Sequence, residues 1–316
     1  MISVLLKLST TTTGAQEAAL SYNTSNRKSV PSAIARELRQ EAGFGCCKCG
    51  IPIIQYHHIV EWAQEEHHRA EDMMVLCPNH HDQATKGAMS KPEQRALKAS
   101  PFNRKTGRAS GMLAVKQSYC AADIGTVTVV GEGVFLSIDQ SPMLSFDLDG
   151  NQLLISLKLY DEKDNLLVEI CRNEWITGDP LPWDIEADWQ RLMLRERARK
   201  ISLNINAKRI PMEITGEFWL GGKKIVCDRD GISLHRTEGN GAARFSQLAF
   251  VGMQINIDST NFSFGPLPNS SACIISWPNP RERLWKAKDA WIKIQVQRQN
   301  RNLESPLRSV QSETPS

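Results

Sequence analysis

The chain has 316 residues, 41% of them apolar and 23% charged, with a formal net charge of +3. That suffices for two ordinary domains, or one large one, and argues against wholesale disorder. So small a net charge does not by itself indicate a nucleic-acid partner, and no apolar run approaches the roughly 20 residues of a membrane helix.

Residues 1–30 are rich in Thr, Ser, Asn and Ala, have no sustained period and read as a loose leader. Their short apolar run lacks the charged region that precedes a secretory signal. In "VPSAIARELRQEAGFG", Pro31 suits a first helical turn, Ile34, Leu38 and Ala42 recur at helical spacing, and Gly43 and Gly45 stop the run. The spacing predicts a helix of about ten residues leading into "CCKCG". "IPIIQYHHIVEW" alternates as a small hairpin would. "CPNHHDQATKG" reads as a short helix closed by Gly87, and "KPEQRALKAS" as a helix begun by Pro92. "SPFNRKTGRASG", with its Pro, Gly, Ser and basic residues, reads as a linker, with a domain boundary near residue 108.

Beyond it the apolar period becomes two. Short runs are punctuated by "DG", "EKDN", "RN", "AKR" and "GG" every 8–12 residues or so, as in an antiparallel sandwich or a short β-coil. "DLDGNQLLISL" and "DEKDNLLVEI" are loosely alike, as two hairpins built by the same rules would be, or as a repeat. "WDIEADWQRLMLRERARK" reads as an interrupting helix, its basic end favoured by the dipole. "RERLWKAKDAWIKIQVQRQNR" reads as a last helix, with a disordered tail over 301–316. The expected fold class is α+β: a small N-terminal segment, 31–108, and a larger β-rich part, 109–300.

Eight cysteines stand at 46, 47, 49, 77, 120, 171, 227 and 273, three of them within four positions. A chain of this length without a signal is no disulfide scaffold, so the pattern suggests a cytoplasmic protein with one metal cluster and scattered buried thiols. Cys46 and Cys49 form CxxC, and Cys77 and His80 form CxxH some 28 residues later. Two such knuckles make a closed tetrahedral structural zinc site, with Zn–S near 2.3 Å and Zn–N near 2.1 Å. Cys47 is then packed nearby, or replaces Cys46.

"YHHI" at 56–59 and "LCPNHHDQ" at 76–83 place four of the seven histidines in adjacent pairs. Neighbours on a strand face opposite ways, so His57 and His58 are expected to divide their tasks. One division puts a divalent ion on His57 and His81 and leaves His58 as general base, a task its ordinary pKa suits. Surface histidines, or a second zinc site, are the alternatives.

The stretch 31–101 resembles the HNH endonuclease family with zinc knuckles around a ββα-metal core. "GFGCCKCG", "YHHIVEW", "EDMMVLC" and "CPNHHDQATKG" follow that family's order and spacing. The resemblance covers about 70 residues. It implies hydrolysis of phosphodiester bonds, usually in DNA, by one divalent ion (Mg²⁺, Mn²⁺, Ni²⁺ or Zn²⁺) and a histidine-activated water. His58 matches the base, His57 and His81 the ligands of that ion, and Cys46, Cys49, Cys77 and His80 the zinc positions. The family's middle Asn is Asp72 here. It can accept a hydrogen bond but not donate one, so it would orient His58 as a carboxylate.

Charge is uneven. Residues 1–108 carry 14 basic against 10 acidic side chains and residues 278–316 carry 8 against 4, leaving the middle acidic. Lys86, Lys91, Arg95 and Lys98 could follow a phosphate backbone, or form an ordinary solvated face. Trp285 and Trp291 lie too far apart around a helix to stack bases together, which favours packing onto the sheet. The expected partners are DNA and an unnamed ligand of the β-rich part, with no membrane; a homodimer is left open. Two functions compete: a metal-dependent endonuclease, and a catalytically silent zinc module that only binds nucleic acid or a protein partner.

Overall fold

The computed structural model describes residues 29–236, 242–258, 260–267 and 271–309. Residues 1–28 of the predicted leader and 310–316 of the predicted tail lie outside them. The described residues from Pro31 on fall into one compact unit. No described helix is long and apolar enough to cross a membrane.

The first elements are α1 (Ser32–Ala42), β1 (Gln55–His58), β2 (Met73–Leu76), α2 (Pro78–Thr85), α3 (Lys91–Ala99), α4 (Phe102–Thr106) and β3 (Ser110–Met112). The strands from 121 to 206 are β4 (Ala121–Ile124), β5 (Val127–Val130), β6 (Gly133–Ile138), β7 (Ser141–Asp149), β8 (Gln152–Tyr160), β9 (Leu166–Cys171), β10 (Glu174–Thr177), β11 (Asp184–Asp188), β12 (Arg191–Arg197) and β13 (Lys200–Asn206). After them come β14 (Met212–Leu220), β15 (Lys223–Asp228), β16 (Gly231–His235), β17 (Ala242–Phe245), β18 (Leu248–Val251), β19 (Met253–Ile257), β20 (Phe262–Pro266), β21 (Cys273–Ser276) and the helix α5 (Pro280–Ser309). The architecture is mixed α+β and dominated by sheet.

One sheet runs β20-β19-β6-β7-β8-β9-β10-β3. A second runs β11-β12-β13-β14-β4-β5-β18-β21, with β15, β16 and β17 added through β14. Alternating side chains from both sheets, among them Leu136, Leu144, Ile155, Leu203, Ile214 and Phe218, meet in one hydrophobic core. Phe44, from the turn after α1, belongs to that core too, so the N-terminal segment contributes a side chain to it. α5 lays Ala287 and Ile294 on Ala121, Val130, Ala249 and Val251. Trp291 packs against this cluster, whereas Trp285 is 68% exposed.

Four sequence expectations need correction. The segment 183–200 is not a helix but the hairpin β11–β12, in which Asp184 faces Arg195 across the register. Leu192 and Leu194, two apart, are both fully buried, which is strand periodicity. Charges that suggested a helix surface pair across the hairpin instead: Arg195 Nη1 reaches Asp184 Oδ2 at 3.1 Å and Glu186 Oε1 at 2.6 Å. The basic run 195–200 therefore ends no helix. Second, residues 51–62 form no hairpin of their own. β1 pairs with the fully buried β2, placing Tyr56 opposite Val75 and His57 opposite Met74. Third, the predicted linker carries α4 and β3, and β3 closes the edge of a sheet against β10. The last helix also runs past its expected end, to Ser309.

A buried ion pair ties α1 to the second sheet. Arg39 donates from Nε and Nη2 to the two carboxylate oxygens of Asp184, at 3.0 and 2.8 Å, and from Nη1 to Tyr56 Oη at 2.7 Å. The Asp184 side chain is 1% exposed, so two guanidinium groups offset the cost of burying its charge.

Candidate metal centre and the histidines around it

The first knuckle is a closed turn. Cys46 N–H donates to the Ile51 carbonyl at 2.9 Å, and Gly50 N–H donates to the Cys46 carbonyl at 2.8 Å. Gly50 has φ +78°, and a Cβ there would sit 2.3 Å from Asn103 Oδ1, so a side chain is excluded twice over. Asn103 on α4 is buried and donates from Nδ2 to the carbonyls of Gly43 and Gly50, at 2.9 and 3.1 Å. The staple of the knuckle thus comes from the segment that read as a linker.

The second knuckle is a helix start. Cys77 caps α2 in an extended conformation, and Pro78 occupies the first turn, where no N–H partner is needed. His80, three residues on, returns to the side of Cys77. The thiols of Cys49 and Cys77 lie 3.8 Å apart, and His80 Nδ1 lies 3.3 Å from the sulfurs of both Cys46 and Cys77. All four donor atoms fall within 4.8 Å of one another. A tetrahedral ion with the bond lengths given above needs S···S near ~3.8 Å and S···N near ~3.6 Å, so the donor set fits. These four residues could hold a metal ion such as zinc.

Electrostatics agree. Burial, with the Cys46 and Cys77 thiols beside it, pushes the Cys49 thiol up to about 12. Thiols this close resist ionising together unless a cation sits among them. Cys47 stands outside the cluster, its N–H on the Val75 carbonyl and its thiol pushed up to about 11 by burial.

The expected histidine positions come next. His57 is buried, with its ring centre 5.1 Å from that of His81 and edge-on to it at 89°. Its Nε2 lies 3.1 Å from Gln94 Oε1. Burial first, then the neighbouring His81, lowers its pKa to about 4, so the ring is neutral at physiological pH. Burial and Lys48 lower His80 as well.

His58 follows on the strand and turns to the other face. Its Nε2 donates to the His67 carbonyl at 3.0 Å, since a carbonyl can only accept. Its ring packs at 5.3 Å from those of Trp62 and His67 and at 5.7 Å from that of His68. His67 is itself buried and clasps the β1–β2 connection, donating from Nε2 to the Val60 carbonyl at 3.1 Å and accepting Arg69 N–H on Nδ1 at 3.2 Å. Sequence reasoning missed this pair. The signal was a third doublet, "EEHHRA", which raises the histidines between 57 and 81 to six of the chain's seven.

Asp72, expected to orient His58, spends both carboxylate oxygens on guanidinium groups. Oδ2 accepts from Arg69 Nε at 2.9 Å and Oδ1 from Arg95 Nη2 at 2.5 Å, which holds its pKa below the usual carboxylate value. The orienting contact found on His58 is the His67 carbonyl. Each of the four basic residues expected to track phosphate has a carboxylate partner: Lys86 with Asp82, Lys91 with Glu61, Arg95 with Asp72 and Lys98 with Glu41.

No protein-family model matches the chain, and no curated protein or solved structure is significantly similar to it.

Proposed function

We propose that the chain is a metal-dependent DNA endonuclease of the HNH type, with zinc in the Cys46–Cys49–Cys77–His80 cluster as a structural ion. In this reading β1, β2 and α2 form the ββα-metal core, and the sheet-rich remainder serves recognition or regulation. The observation that carries the proposal is the pairing of His57 with His81 beside α2, on the turn after a complete zinc ligand set. Two imidazoles sharing one ion at about 2.1 Å per bond have ring centres at most ~6.5 Å apart, and 5.1 Å lies inside that limit.

An ion on His57 and His81 would supply Lewis-acid charge to a phosphate and lower the pKa of a nearby water. Everything else falls to the chain. His58, its Nε2–H tied to the His67 carbonyl, would take a proton from the attacking water on Nδ1. The clasp formed by His67 keeps that carbonyl in place. Lys86 and Lys91 can exchange a carboxylate for a phosphate at small cost, because exposed ion pairs contribute only about 0–1 kcal/mol.

One observation favours the silent zinc module: the residue at the family's Asn position is bound to two arginines. Nicking of supercoiled plasmid by zinc-loaded protein with Mg²⁺, Mn²⁺ or Ni²⁺ separates the two readings. The endonuclease reading expects wild type to cut and His58→Ala to fail. Equal rates for the two proteins would end it.

A further inference from the structure

Gln94 is the only buried glutamine besides Gln117 among the described residues, and it is 0% exposed. A glutamine pays to leave water, so its amide must be satisfied inside. Its place is set by local chemistry: Ser90 caps α3 by accepting Glu93 N–H, Pro92 occupies the first turn, and Gln94, two residues after Pro92, is buried. The amide orientation is fixed by its neighbours. Met89 offers a carbonyl, which can only accept, so the NH₂ group must face it, and Gln94 Nε2 donates there at 2.9 Å. Gln94 Oε1 is therefore the atom turned toward His57 Nε2, at 3.1 Å. An amide oxygen cannot donate, so His57 Nε2 must carry the hydrogen.

We propose that Gln94 is a positioning residue for His57, holding its imidazole in the Nε2–H form so that Nδ1 is the nitrogen offered to a divalent ion shared with His81. The metal half of this inference rests on the endonuclease reading; the tautomer half rests on hydrogen bonding alone. An imidazole that coordinates an ion is neutral and keeps one N–H, and the Gln94 oxygen accepts it. Metal-bound histidines generally donate their second nitrogen to a carbonyl or carboxylate, which fixes ring and tautomer together. Here the acceptor is a side-chain amide that is itself locked from behind by Met89, and it stands on the helix that follows α2. The ring is thereby held edge-on to His81 before any ion arrives.

The test uses full-length, zinc-loaded protein labelled with ¹⁵N-histidine. Long-range ¹H–¹⁵N spectra distinguish the two tautomers, and Ni²⁺ titration gives the affinity. Wild type should show His57 as Nε2–H. The near-isosteric Gln94→Met, which lacks the acceptor, should show mixed tautomers and bind Ni²⁺ about 10–100-fold more weakly. Gln94→Glu keeps an acceptor and should retain the Nε2–H form. Wild-type His57 in the Nδ1–H form overturns the proposal, and that observation does not depend on Gln94→Met folding. Ni²⁺ affinity unchanged in folded Gln94→Met overturns the positioning role. Wild type that binds no Ni²⁺ beyond its zinc overturns the metal half along with the endonuclease reading, and the tautomer result shows separately whether Gln94 fixes the ring.

Discussion

Two sets of donors flank α2, and they differ in how they are completed. Cys46, Cys49, Cys77 and His80 converge within 4.8 Å and leave no coordination position to fill. His57 and His81 meet as a pair, steadied by an amide rather than by more ligands. A closed set serves stability, whereas an ion held by two histidines, as proposed above, would leave positions for water and substrate. The difference between adjacent residues His80 and His81 is one of direction: a step of about 100° around α2 turns His80 to the cysteines and His81 to His57.

The largest expected effect lies on the closed side. Cys49→Ser, or removal of zinc by a chelator, should cost on the order of 10 kcal/mol of ordering in the knuckle region. Because Phe44, two residues before Cys46, sits in the main core, the loss should also lower the melting temperature of the sheets, as followed by circular dichroism. A melt identical with and without zinc would show that the cluster stabilises nothing. On the open side, His58→Ala should lower cleavage by about 10²–10⁴-fold while metal content is unchanged, checked by plasmid nicking and elemental analysis.

Two intermediate effects concern stability. Arg39→Ala leaves Asp184 buried with Arg195 as its remaining partner, and should cost about 3 kcal/mol in chemical denaturation. The pH dependence has a definite sign. With the His57 pKa lowered to about 4, the unfolded chain binds a proton first as the pH falls. The contribution of His57 is thus complete above about pH 6.5 and is lost toward pH 4, by up to about 3 kcal/mol. Denaturation profiles of wild type and His57→Gln should diverge in that window. Parallel profiles would mean that His57 is not buried neutral.

The smallest effect is at the surface. Lys86→Ala should change stability by less than about 0.5 kcal/mol but lower the salt dependence of DNA binding by about one ion.

The two sides were not equally legible in the sequence. The closed site was readable because knuckles are local: CxxC and CxxH each fix their geometry within four residues. The short helices at 32, 78 and 91 were readable for the same reason, through their prolines, caps and glycines. What is non-local was not. β1 finds its partner β2 across fourteen intervening positions, and nothing near 51–62 says so. The helix expected at 183–200 failed because a charged hairpin and a charged helix carry the same residues, and the partners that fix the strand are distant: β13 beside β12, and Arg39, 145 positions from Asp184. Asn103 and Gln94 were invisible as supports, because a buried amide looks like any surface amide until its carbonyl partners are known.

Nickel titration of zinc-replete protein tests the contrast between the closed and open sets most directly. Wild type should take up one further Ni²⁺ per chain without releasing zinc, and His81→Ala should lose that equivalent while keeping its zinc. No further equivalent in wild type, or an equal one in His81→Ala, would contradict an open site at His57 and His81.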